Sequence, residues 1–417
     1  MGGRHLMRMS FGVARSSAPA WRTNAAAVCA ALLTACSTGG GPFDAPTAAI
    51  VPPLTDGGSE NRPPVKIALL LPMGGMGETA AVAKNMKRAA ELALFERNDP
   101  SVQLVTKDDG GTAAGARAAA DVAVHEGAEI ILGPLFAKSV VGVTRVTRQA
   151  RVPVVAFSND TQVAGNGVYL MSVLPEQEVS RIIAYAATRG KRSFAALIPD
   201  TAYGNVVEPA FRRAVGRAGG SVAIVERYPS GANGMLGPAK RVVKAIRTAS
   251  AAGAPVDALF LPGGHEALPQ MGPVIAYSGL DTSRVQLLGT GAWDFPSPGR
   301  DSSFVGGWYP GPDPVAWRAF SERFAKTFGT TPPRIASAAY DAMSLAISLS
   351  SNPPGTRFTP GNLTRKNGFA GVDGVVRFEP SGLSQRGLAV LEVQTFGATV
   401  IDPALRSFYD TQLSSAQ

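Results

Sequence analysis

The sequence predicts an α/β protein of two doubly wound parallel-sheet lobes joined by a multi-crossing hinge, and three observations carry that expectation. The run Val65-Lys66-Ile67-Ala68-Leu69-Leu70-Leu71-Pro72 is almost continuously apolar, which suits a parallel strand buried on both faces. After it, strand-like and helix-like stretches alternate at the spacing that right-handed β-α-β crossovers need. The alternation then restarts near Glu176 and runs through a second series of similar length.

In the first series, the strand 65–72 leads through the glycines of Met73-Gly74-Gly75-Met76-Gly77 to a helix from about Thr79 to Arg97. Val82, Met86, Ala89, Ala90 and Ala93 form its buried stripe. Strand 102–106, the pair Asp108-Asp109 and helix 112–126 follow, then strand 129–132, helix 139–149 and strand 152–157. Residues 169–175 carry the chain out of this lobe. Helix 176–189 opens the second series, whose strands are 194–198, 222–226, 258–261 and 285–288 and whose helices are about 204–218, 236–252 and 266–278. An extended piece at 304–309, helices 315–328 and 334–350 and a β-rich stretch 375–400 complete it. The expected division is 65–172 plus 310–368 for lobe one and 173–309 plus 369–417 for lobe two. A ligand would sit between the lobes at the carboxyl ends of strands, where helix N-termini and loop amides converge.

The chain before residue 65 has a different character. Arg4, Arg8, Arg15 and Arg22 stand without an acid before the apolar segment Ala25–Leu33, the pattern of a secretory signal peptide, too short to span a bilayer. Met7 or Met9 could equally be its start. Leu33-Thr34-Ala35-Cys36 resembles the lipobox of bacterial lipoproteins, so residues 1–35 are expected to be removed and Cys36 to carry lipid. Residues 36–64, rich in Gly, Pro, Ser and Thr, read as a flexible tether with a reach on the order of 30 Å. Ser37, where similar lipoproteins retained at the inner membrane often carry aspartate, favours the outer membrane.

Composition narrows the function. The 417 residues are 45% hydrophobic and 17% charged. Cys29 leaves with the signal, so Cys36 is the single cysteine and neither a disulfide nor a cysteine-based metal site is expected. The net charge of +9 falls to +5 on maturation, with 36 basic against 31 acidic residues. The basic residues are scattered along helices and read as a solvated surface rather than a nucleic-acid or lipid patch.

Taken in order, several marks resemble the type I periplasmic binding proteins of the leucine/isoleucine/valine-binding family: Ile67 to Gly77, Asp108-Asp109, Gly133-Pro134, Pro153 to Ser158, Tyr203-Gly204, Ala339-Tyr340-Asp341-Ala342 and Gly371 to Phe378. Gly133-Pro134-Leu135 and Leu174-Pro175-Glu176 are also similar to a lipid-anchored branch, the penicillin-binding-protein activators. The resemblance implies a receptor that closes its lobes over a small molecule and hands it to an ABC-type permease, with amino acids or a related small carboxylate as ligand, no reaction and no cofactor. The alternative it implies is an outer-membrane regulator that touches a peptidoglycan synthase with the same fold.

Candidate site residues follow. Gly75-Met76-Gly77-Glu78-Thr79-Ala80 fits a dinucleotide fingerprint, but its acidic pair comes about thirty residues on instead of about twenty, and Gly75 and Gly77 read better as a turn whose amides approach a ligand. Asp108-Asp109 read as a strand end and helix cap before paired catalytic carboxylates. His125 and His265 have no ligand-spaced partner, so no metal site is expected. No Gly-x-Ser-x-Gly elbow surrounds Ser139, Ser158 or Thr290, so acyl transfer has no support. In the family, loops after the third and fourth strands supply hydroxyls and amides to the ligand carboxylate, which implicates Phe136, Ser139, Ser158 and Asn159. Tyr203 and Thr290 would meet the ligand from lobe two. Where amino-acid receptors place a carboxylate for the ammonium, this chain reads Gly289-Thr290-Gly291-Ala292-Trp293-Asp294, and Asp294 could serve if the loop folds back.

Overall fold

The computed structural model describes residues 64–229, 232–264, 266–295 and 298–408, all within one compact unit that begins at Glu60. The signal segment, Cys36, the tether to residue 63 and His265 lie outside the described residues.

Lobe one starts with β1 (Val65–Leu71), α1 (Glu78–Arg97), β2 (Val102–Asp108), α2 (Ala113–His125), β3 (Ala128–Leu132), α3 (Ala137–Ala150), β4 (Val154–Ala156) and β5 (Val168–Leu170). Its parallel sheet has the order β2-β1-β3-β4-β5. Alternation along β1 explains its unbroken apolar run. Ile67, Leu69 and Leu71 join the core on one face, Ala68 and Leu70 the core on the other, and all five are fully buried. α2 and α3 close the second face. The first is closed by α1 together with two helices from much later in the chain, α8 (Pro314–Phe328) and α9 (Ala336–Ser350).

Lobe two repeats the scheme with α4 (Pro175–Thr188), β6 (Ser193–Pro199), α5 (Ala202–Arg217), β7 (Ser221–Tyr228), α6 (Ala232–Ala251), β8 (Ala258–Phe260), α7 (Leu268–Ser278), β9 (Gln286–Leu288) and β10 (Trp308–Gly311). After α9 come the short α10 (Pro360–Leu363), β11 (Val376–Phe378), β12 (Ser384–Arg386), β13 (Ala389–Val393) and β14 (Ala398–Asp402). The second sheet runs β14-β13-β10-β9-β8-β6-β7, parallel from β7 to β10 with an antiparallel edge of β13 and β14. Ala195 and Leu197 of β6 face α6 and α7, whereas Phe194, Ala196 and Ile198 face α4 and α5.

The expected division of the late chain needs a correction. Phe369, Val372, Val376 and Phe378 pack into the lobe-one core with Tyr169 and α9, and Leu170 N–H donates to the Gly382 carbonyl at 2.9 Å. Residues 369–386 therefore complete lobe one, and lobe two regains the chain only at β13. Pro310 and Gly311, expected in lobe one, likewise belong to the second sheet. The chain crosses between lobes three times: after β5, after β10 and after β12.

Candidate functional site

In lobe one the strand-end loops converge. Asp108 Oδ1 accepts from the Met73 N–H at 2.8 Å and the Gly110 N–H at 3.0 Å, which fixes the turn that carries Gly75 and Gly77. Burial pushes its carboxyl up, but the N–H groups of Gly110, Gly74 and Met73 together outweigh it and hold it below the usual range. Asp109 is fully buried with Oδ1 on the Gly111 N–H at 2.7 Å; burial, and secondarily Asp108, raise its pKa. The capping role expected of this pair falls to Thr112, which accepts the Gly115 N–H at the start of α2. The two carboxylates organise glycine turns.

After β3, Gly133 adopts φ +88°, and a side chain there would collide with the Leu70 carbonyl, so the position requires glycine. The chain then enters α3 through Phe136, which leaves the helix N-terminus without a side-chain cap. Unsatisfied N–H groups on the positive end of a helix dipole make a ready carboxylate site. Ser158, behind β4, is almost buried; its Oγ accepts the Asp160 N–H at 3.2 Å, leaving its own hydrogen to donate. Asn159 beside it is exposed. Ser139 lies elsewhere. It is fully buried and its hydroxyl points to the Thr112 carbonyl at 3.4 Å, so it packs α3 on α2 instead of lining a cleft.

Lobe two presents a cavity of about 480 Å³ at the carboxyl ends of β6, β7, β8 and β9, lined among others by Thr201, Tyr203, Tyr228, Gly263, Gly264 and Ala292. The Tyr203 and Thr290 hydroxyls lie 2.9 Å apart, which joins two residues that sequence spacing separates widely. Burial raises the Tyr203 pKa, and nearby Glu178 raises it further. Glu178, in the first turn of α4, accepts a hydrogen bond from the Gly291 N–H, and burial pushes its carboxyl up to about 8. Sequence reasoning missed it. The one available signal, an acid in a helix first turn, does not separate a buried carboxylate from an ordinary dipole partner.

Asp294 meets a different partner. Its carboxylate pairs with Arg334 at 3.6 Å, and Arg334, ahead of α9 in lobe one, also reaches Asp373 at 2.9 Å. The Ser337 hydroxyl donates to Asp373 at 2.6 Å, and the Arg334 guanidinium stacks 4.3 Å over Trp317. Burial raises the Asp294 pKa against the pull of Arg334. Asp294 is thus the lobe-two end of an ionic chain that crosses into lobe one. Its charge is answered by Arg334, whereas among the described residues no cation pairs with Glu178, whose carboxyl meets the Gly291 N–H. Among the described residues no group of carboxylates, histidines or cysteines is arranged to hold a metal, and no helix is long and apolar enough to cross a membrane. His125 Nδ1 lies 2.8 Å from the Asp121 carbonyl at the end of its own helix.

Residues Met171 to Leu174 alone link the carboxyl end of β5 to the helix that carries Glu178, so the two sets of strand-end loops meet at the hinge. Two such lobes with polar loops on both sides of a hinge define a bilobed ligand-binding protein. The chain belongs to the periplasmic binding protein family, whose model matches residues 64–375. This is a family of binding proteins, not of enzymes.

A leucine/isoleucine/valine-binding protein homologue from Brucella melitensis is 26% identical over 236 residues, 54% of this chain and 58% of that one. The chain spans about half the length of the curated relatives it matches, 43% of one and 58% of another. A solved chain from Rhodospirillum rubrum assigned to branched-chain amino acid ABC transport superposes with a TM-score of 0.70 at 21% identity, over 81% of this chain and 100% of that one. A Rhodopseudomonas palustris ABC-transporter solute-binding protein in complex with 3,4-dihydroxybenzoic acid gives 0.55 at 18% identity, over 82% and 96%.

Proposed function

We propose that the protein is a lipid-anchored receptor outside the cytoplasm that closes over a small carboxylate and delivers it to an ABC-type permease. One observation carries the reading: the uncapped N-terminus of α3, with Ser158 nearby in the same lobe, offers a carboxylate site, while Tyr203, braced by the fully buried Thr290 hydroxyl, and Glu178 offer polar groups from the other lobe. Only a closed state makes both sets of contacts, so ligand and closure are coupled. The Brucella and Rhodopseudomonas relatives support amino acids and aromatic acids as the two ligand classes to test.

Glu178 separates those classes. Burial raises its pKa to about 8, which favours the protonated carboxyl, a form that would donate to a ligand oxygen. An ammonium group would need the ionised form, so binding an amino acid would expel the proton. Leucine affinity should then rise from pH 6 to 8 by up to about tenfold per unit, whereas dihydroxybenzoate affinity should not. Glu178→Gln should abolish that slope and weaken leucine binding about tenfold or more, the loss of a charge-assisted bond being about 1.5–3 kcal/mol. Thermal shift and calorimetric titration read both effects, because ligand raises the melting temperature by mass action. If neither an amino acid nor an aromatic acid shifts it at millimolar concentration, the receptor reading yields to the peptidoglycan-synthase regulator.

Anchoring has its own test. Acyl burial contributes about 0.8 kcal/mol per CH₂, and stable attachment takes more than one chain. In 0.5 M salt, where surface charge attraction is screened, wild-type protein should therefore fractionate with membranes and Cys36→Ser should not; identical fractionation of the two would refute the anchor. Ser37 favours the outer membrane, which density-gradient fractionation resolves.

A further inference from the structure

The pole of lobe one opposite the strand-end loops carries a second feature. Two cavities of about 650 and 670 Å³ share Arg148 and Asn166 and so form one groove along the amino ends of β3, β4 and β5. Arg145, Arg148 and Arg151, at the end of α3, line it and are exposed. Along the sequence these arginines look like part of a scattered, solvated set; the turn of α3 and its left-handed Arg151 cap gather them on one edge. The one carboxylate along the groove among the described residues is Glu129, and Arg357 holds it at 2.6 Å. None of the three arginines has a carboxylate within ion-pair distance among the described residues. Exposed Val141 adds an apolar contact at the rim.

The groove's position selects its occupant. β1 runs parallel to β3 with Lys66 opposite Ala128, so the chain enters the described body at this same pole. The preceding residues lead from there back to Cys36. We propose that the groove is a docking surface for the phosphate headgroups of an anionic phospholipid membrane, which orients the receptor with its strand-end loops away from the bilayer. The choice of a membrane rests on the anchor reading above. Guanidinium groups match phosphate oxygens two at a time, and a basic patch near an anionic surface adds its own attraction to that of the lipid.

The test uses full-length Cys36→Ser protein, which carries no acyl chain, and sedimentation with vesicles at low salt. Phosphatidylglycerol vesicles should retain it and phosphatidylcholine vesicles should not. Arg145→Gln/Arg148→Gln/Arg151→Gln should lose about 100-fold in partitioning, near fivefold per arginine, and 0.5 M salt should abolish the difference. A control with the same net charge, Arg213→Gln/Lys240→Gln/Lys244→Gln on α5 and α6, should bind like the parent. Equal losses in the two triple variants would mean that net charge alone acts and would overturn the proposal. So would equal binding to both lipids, or competition by an acidic peptide at the arginines without any retention on vesicles. Failure here leaves the Cys36 fractionation result untouched, so the groove and the anchor stand or fall separately.

Discussion

Replacement of Asp341 by alanine is expected to lower the unfolding free energy by about 3–5 kcal/mol, the cost of leaving one member of a buried ion pair alone. Asp341, on α9, and Arg386, at the third crossing, lie 3.6 Å apart with side chains only 1% exposed. Asp341 Oδ1 also accepts the Val372 N–H at 2.7 Å, so alanine orphans a backbone donor as well as a guanidinium. Asp341→Asn/Arg386→Met keeps an acceptor for Val372 and removes both charges; it should recover most of the loss. Urea denaturation measures both, and a loss below about 1 kcal/mol for the alanine variant would contradict the pairing. Burial, with Asp373 adding to it, raises the Asp341 pKa against the pull of Arg386. The folded state therefore holds this proton above the pH at which the unfolded chain has released it, so stability from this group falls as pH rises out of the ordinary carboxylate range. Asp341→Asn should flatten that slope.

Trp293→Ala should cost a similar amount, about 3–5 kcal/mol for an aromatic removed from a packed core. Trp293 is fully buried, its Nε1 donates to the Leu261 carbonyl at 3.0 Å, and it meets Phe304 edge-on at 5.4 Å. Gly289 has no room for a side chain beneath the indole. The ring is the pin on which the loop Thr290 to Asp294 turns, so its loss should also weaken ligand binding by freeing Thr290 and Gly291. Denaturation reads the first effect and ligand thermal shift the second. A variant that loses stability while it keeps full affinity would show that the loop is held by other contacts.

Most of the fold was legible because it rests on local pattern. The two-sided burial of β1 is written in Val65 to Leu71, and the repeating units follow from apolar periodicity. β5 escaped because Val168-Tyr169-Leu170 is too short to show a period and its pairing is made by β4. The stretch 375–400 reads as one β-rich unit, yet Val376 and Phe378 pack on Tyr169 in lobe one while Val390 and Leu391 join the second sheet. Nothing in alternation tells which core a hairpin enters. The site divides in the same way. Tyr203, Thr290 and Ser158 sit at strand ends and could be picked by position, but the burial of Glu178 depends on α4 meeting Gly291, and the occupation of Asp294 depends on Arg334 from the other lobe.

The late closure of the first sheet has a consequence for how the chain is made and exported. Ile67, Leu69 and Leu71 share a core with Ala339, Ala342, Met343 and Ala346, so that face stays uncovered while a chain delivered amino end first is still arriving. Lobe two, from α4 to β10, needs only the β13–β14 edge to be whole. The half that emerges first is thus sealed only after most of the second half has emerged. A polypeptide cut short before residue 336 would present a bare apolar sheet face, a state prone to aggregation and capture by chaperones, and truncations at the carboxyl end should damage the amino-terminal lobe.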